Sequence, residues 1–201
     1  MCLPAAVVLT ASEVIDRVLA VAAGNLIMMS DVRTAIDFGI VPADNSSDPV
    51  RETLSRLIER SLVLAEVDRY APPEPDADAV DRALDGVKRH FPSPQAYRDR
   101  LARDGIDEKH LRETMREELR IQAYLDQRFT VAPPTEEDLT RYYREHADDF
   151  KRGAVTAPFA GVRAEVLQAV SRERRRSLVD EWMSGLRRRA EVIDLYRQAM
   201  K

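Results

Sequence analysis

The sequence predicts a mainly α protein: an irregular multi-helix array carrying a small antiparallel sheet, made by an N-terminal β-hairpin and a C-terminal strand. Three observations predict it. Residues 17–30 alternate small and apolar side chains around Gly24 and Asn25, two residue types that tolerate the positive φ of a tight turn. Residues 190–196 bring Val192, Ile193 and Leu195 at the far end of the chain. Between these ends, apolar residues recur at helical spacing and proline-containing breaks interrupt them. A lone hairpin is marginal in water, so a third strand from the other end is a simple way to stabilise it.

The elements follow in order. Residues 18–21 and 26–29 are the hairpin strands. Ser30 and Asp31 open a short helix, with Ser30 as the cap and Asp31 at the positive end of the dipole. Gly39 ends that helix and Pro42 stops its continuation. A polar loop over 43–48 contains a sequon at Asn45, a pattern too common to carry weight. Asp48 and Pro49 open the next helix, with proline at its first position. Val50, Leu54, Leu57, Ile58, Leu62 and Ala65 form its stripe, and Val63, Leu64 and Val67 widen it. That width marks this helix as the centre of the core.

Residues 71–75 hold three prolines and break the helix. Asp76 caps a following helix with Val80, Leu84 and Val87 on one face. Ser93 and Pro94 start a short one that ends at Gly105 and presents Tyr97 and Leu101. Asp107 caps a long helix with Leu111, Met115, Leu119 and Ala123 on one stripe, extended by Ile121, Leu125 and Phe129. Thr135 and Asp138 have the spacing of a capping box, with aspartate in place of the usual glutamate. Behind them come Leu139, Tyr142 and Tyr143. Residues 150–157 are a short connection. The last helix starts at Pro158 and runs through Val162, Val166, Val170, Leu178, Trp182 and Leu186 to Arg189. Breaks of this kind point to an irregular array rather than a coiled coil.

Composition narrows the function. At 201 residues, 44% hydrophobic and 33% charged, the chain is long enough for one core domain. A net charge of −4 gives no general electrostatic case for nucleic acid. Cys2 is the sole cysteine, so no intrachain disulfide forms. Residues 1–12 are small and apolar. They read either as the back half of a secretory signal, cleaved after Ala11, or as a disordered end. No later apolar run reaches the roughly 18–20 residues of a membrane span. The domain reading is therefore a core over 13–196 and a tail over 197–201.

No catalytic or metal constellation emerges. His90, His110 and His146 fall on different helices and read as solvated; His110 and Glu113 share a face, but no third ligand accompanies them. The glycines are scattered, so no phosphate loop forms. Glu136, Glu137 and Asp138 suit a helix first turn better than acid–base work. The runs at 172–176 and 187–189 are arginine-rich, but Glu165, Glu173, Asp180 and Glu181 offset them, and they read as a solvated helical face. No catalytic residue, metal ligand or cofactor is expected.

The chain resembles the N-terminal chaperone domain of SurA-type periplasmic proteins. The stretches 15–21, 28–32, 54–67, 119–125 and 135–146 carry the resemblance, together with the closing helix and strand, and they cover most of 13–196. No single motif is specific; their order and spacing persuade. In that family, one or two parvulin-type prolyl isomerase domains usually follow the helix with the Tyr-Tyr pair, before the chain returns to a closing helix and strand. Here only residues 151–157 separate Phe150 from Pro158. The resemblance thus implies a chaperone core without its isomerase domain, hence no enzyme activity.

It further implies an ATP-independent, periplasmic holder of unfolded or outer-membrane polypeptides, using an apolar cleft rimmed by charge. Phe38, Ile40, Phe91, Tyr97, Met115, Tyr142 and Trp182 are the peptide-binding candidates, as large or adaptable apolar side chains. Two rival readings stay open: a residual peptidyl-prolyl isomerase, and a helical adaptor for one protein partner. Exchange of the terminal helix and strand between copies would give a homodimer.

Overall fold

The computed structural model describes residues 16–41 and 46–196. The expectations for residues 1–12, for Pro42 and Asn45 and for the tail 197–201 fall outside those residues. In chain order the described elements are β1 (Val18–Ala22), β2 (Asn25–Met28), α1 (Met29–Asp37), α2 (Pro49–Tyr70), α3 (Ala77–Lys88), α4 (Pro94–Asp104), α5 (Glu108–Arg128) and α6 (Glu136–Glu145). A 3-10 turn (Ala147–Phe150), β3 (Lys151–Arg152), β4 (Val155–Thr156), α7 (Phe159–Arg189) and β5 (Val192–Asp194) follow.

The expected three-stranded sheet is present, in the order β2-β1-β5, with both pairings antiparallel. Ala22 faces Asn25, so the loop is two residues long, and it is Ala23 and Gly24 that take positive φ, at +50° and +79°. Asn25, expected in the turn, instead begins β2. A two-residue loop matching the right-handed twist of its strands needs positive φ at both central residues, and those are 23 and 24. The C-terminal strand is held on by more than its ladder. Leu195 donates its N–H to the Leu19 carbonyl at 2.9 Å, and Arg51 pairs with Asp194 at 2.5 Å.

The start of α1 departs from expectation. Met28, not Ser30, holds the cap position; the Asp31 carboxylate accepts from the Met28 N–H at 2.7 Å. The Ser30 hydroxyl donates to Asp16, which also accepts from the Ser30 N–H at 3.3 Å. A carboxylate delivered from upstream thus sits at the positive end of α1 and releases Ser30 from that role. The other end is as expected. Gly39, at φ +63°, donates to the Ile36 carbonyl at 3.2 Å and Ile40 to the Ala35 carbonyl at 2.9 Å, the paired bonds of a Schellman stop.

Asp48, Ser93, Asp107 and Thr135 cap α2, α4, α5 and α6 through their side chains, as their residue types predict. Asp76 stands at the cap of α3 without a side-chain bond to the helix.

The core has three parts. The first joins the sheet, α1, α2, the C-terminal half of α5 and the end of α7 around Leu19, Val32, Leu54, Leu62, Val67 and Ile121. The central place predicted for α2 is confirmed: it packs on the sheet, α1, α5 and α7. The second joins the end of α1, α3, α4 and the first half of α5 around Phe38, Leu84 and Leu111. The third joins α6, the 3-10 turn and the first half of α7 around Leu139, Phe150 and Val166.

Two long helices therefore serve two clusters each, and their apolar stripes drift. On α5, Ala123 is exposed and Tyr124 is buried in its place, because steps of four gain about 40° per step on a helix of 3.6 residues per turn. On α7, Val162, Val166 and Val170 face α6 while Leu186 faces α2; between them Leu178 is 43% exposed rather than core. α6 and α7 are joined by the 3-10 turn and a β3–β4 ribbon that reverses at Gly153, φ +67°. Among the described residues no helix is long and apolar enough to cross a membrane.

Candidate polypeptide-binding crevice

Five of the seven predicted peptide-binding residues are brought together, but as core. Phe38, Tyr97 and Met115 are 0%, 5% and 7% exposed, and Ile40 and Phe91 pack half-buried against them. The three rings meet at centroid distances of 5.4, 5.5 and 6.1 Å. Aromatic groups so placed stabilise one another; in this conformation Phe38 and Met115 are packing residues, and Tyr97 packs with them while keeping an edge on the cavity beside Phe91. Burial, and next the neighbouring Glu108 carboxylate, push the Tyr97 phenol up to about 12. Phe91 still reaches a shallow cavity of about 390 Å³ with Lys88, Pro92 and Pro94. Ile40 lines another of about 360 Å³ between β2, α1, α2 and α5.

Trp182 stands elsewhere, half-buried against Tyr124 and Phe129 at 6.0 and 5.4 Å. The Arg128 guanidinium lies within 6 Å of the rings of Tyr70, Tyr124, Phe129 and Trp182, a cation–π box already filled from within the chain.

Tyr142 lines a crevice of about 590 Å³ between α6, α7 and residues 130–132. Its walls are two facing helix stripes. Asp138, Arg141, Tyr142 and Glu145 come from α6; Val170, Glu173, Arg174, Ser177, Leu178 and Glu181 come from α7. Both sets follow the i, i+3, i+4, i+7 spacing of one helical face. The floor is apolar: Tyr142, Val170, Leu178 and Val131. His146, read from sequence as solvated, is half-buried and stacks on the Tyr142 ring at 4.0 Å and 15°.

The charges of the rim are unequally engaged. Asp138 accepts from the Thr135 N–H at 3.0 Å and pairs with Arg174 and Arg141, each at 2.7 Å. The Thr135 amide first, and Arg174 next, hold its carboxyl well below the usual range. Burial and then the charge of Glu173, which lines the same crevice, push the Tyr142 phenol up.

Sequence reasoning missed Leu178, Val131 and the three glutamates as crevice residues. A trace was there. On α7 the apolar positions 162, 166, 170, 178, 182 and 186 keep a step of four except at 174, where Arg174 replaces the expected apolar residue. The stripe is interrupted where it leaves the core.

The arginine runs are largely tied up in ion pairs. Arg174 pairs with Asp138, Arg175 with Asp126, Arg176 with Asp180 and Arg187 with Glu59. Glu113, the partner imagined for His110, is bound by Arg116 at 2.6 Å. Among the described residues no group of three or more His, Cys, Asp or Glu is arranged to hold a metal ion.

The sequence matches no known family profile and no curated protein. The fold does have a likeness among solved structures. A chain from Campylobacter jejuni superposes with a TM-score of 0.56 at 10% identity, over 90% of this chain and 100% of that one. It belongs to work on the virulence factor PEB4 and the periplasmic protein Cj1289, described as two structurally related SurA-like chaperones. At that identity the likeness shows the fold alone: this chain has a SurA-like fold.

Proposed function

We propose that this protein is an ATP-independent chaperone that holds non-native polypeptides outside the cytoplasm, with outer-membrane or secreted proteins as its clients. The observation that carries the reading is the α6–α7 crevice: an open, apolar-floored groove with a charged rim, on a SurA-like helical core. Holding an unfolded chain means burying its apolar side chains reversibly, and an exposed apolar patch rimmed by polar groups is the surface that does so. The description of Cj1289 as periplasmic supports the compartment. The short ribbon between α6 and α7 supports action without a prolyl isomerase domain.

The test is aggregation of a denatured client on dilution into buffer. Suppression at equimolar to severalfold excess of the protein, without nucleotide, is expected. Aggregation unchanged at several-fold excess would overturn the reading. A proline-containing peptide assay is expected to show no rate enhancement.

A further inference from the structure

The charge of the crevice carries a statement about which segments it takes, and this rests on the holding role above. Both arginines that line it, Arg141 and Arg174, are engaged by Asp138. Glu145, Glu173 and Glu181 line the same crevice, all exposed, and make no ion pair among the described residues. Asp138 offsets only one of the two arginines, but the crevice sets four carboxylates against two guanidiniums, so its rim keeps a net charge of −2 over an apolar floor. Leu178 stands between Glu173 and Glu181 on α7, 43% exposed, with Tyr142 opposite on α6.

We propose that the α6–α7 crevice takes extended polypeptide segments in which basic side chains flank an apolar one. Lysine or arginine pairs with Glu173, Glu181 and Glu145, and the apolar residue between lies on Leu178 and Tyr142. The spacing is set by the helix. Glu173 and Glu181 are eight residues apart, about 12 Å at the helical rise. An extended chain covers that distance in about four residues. Segments with basic residues three to five apart are thus favoured, and acidic segments of equal apolar content are repelled.

Three labelled peptides with the same apolar residues test this. One carries two lysines four apart, one two glutamates and one two serines, and each is titrated against the full chain at low and high salt. The lysine peptide is expected to bind about tenfold more tightly than the glutamate peptide, the size expected when two or three exposed ion pairs become like-charge contacts. Salt is expected to shrink the gap.

In E173Q/E181Q, isosteric changes at exposed positions, the lysine peptide falls to the level of the serine peptide while the melting temperature stays put. Leu178→Ser weakens all three peptides. Equal binding of lysine and glutamate peptides, or an unchanged E173Q/E181Q variant, overturns the proposal. So does self-association of the wild type that E173Q/E181Q disperses, since the crevice would then be a contact between copies. If a denatured client is held but none of the peptides binds, this proposal fails and the holding role stands. If neither is bound, the holding role itself fails.

Discussion

The Tyr196 hydroxyl donates to both carboxylate oxygens of Asp48 at 3.1 Å, tying the last described residue to the N-cap of the central helix. The same carboxylate accepts from the Arg51 N–H at 3.0 Å, and Arg51 in turn reaches Asp194 and lies 5.8 Å from the Tyr196 ring. The C-terminal strand is thus fastened to the start of α2 as well as to β1. Burial, and next the Asp48 hydrogen bond, raise the Tyr196 phenol.

Removing the hydroxyl tests that fastening. Tyr196→Phe is expected to cost about 1 kcal/mol, as for a hydrogen bond to a charged acceptor at a half-buried site. The pH sign follows from the raised value. The contribution is full below the unfolded phenol's 10.0 and is lost as pH rises through the folded value. Chemical denaturation of both forms from pH 8 upward should show the wild-type advantage vanishing in alkali.

The turn offers a gain. Ala23 holds φ +50° beside Gly24 at +79°, a conformation that asparagine tolerates far better than alanine. Ala23→Asn is expected to stabilise by about 0.5–1 kcal/mol, and Ala23→Val to destabilise. Urea midpoints of the three proteins decide it.

Asp104 is a second place where stability was left on one side. One of its carboxylate oxygens is buried with no hydrogen-bond partner. Burial, and next the nearby Asp37 carboxylate, raise its pKa. A carboxyl raised in the fold stabilises when protonated, so its favourable contribution is full below the unfolded value of 3.8 and lost as pH rises through the folded one. Asp104→Asn is expected to raise stability at pH 7 by about 1 kcal/mol, after discount for solvent screening. The gain should shrink toward pH 4, which melting curves across that range will show.

Two leucines on α7 separate core from crevice. Leu186 is 6% exposed within the first cluster, and Leu178 is 43% exposed. Leu186→Ala is expected to cost about 3 kcal/mol. Leu178→Ala should change stability by no more than about 0.5 kcal/mol while weakening client holding. Equal losses of stability would mean that Leu178 is core.

The amino-acid sequence by itself determined the local punctuation and the bracket of strands. Gly39 and Gly105 end their helices with positive φ, Thr135 and Asp138 cap each other, and Val192 and Ile193 complete the ladder. Such signals act within three to five residues, or through a pairing with few competitors. Only tertiary structure decided burial on the long helices. Phe38, Tyr97 and Met115 went to the core while Tyr142 and Leu178 reached the crevice. Apart from the break in the α7 stripe at Arg174, nothing in their local spacing distinguishes the two fates. An apolar side chain is core or groove according to what packs over it, and along α5 and α7 that neighbour changes from one cluster to the next.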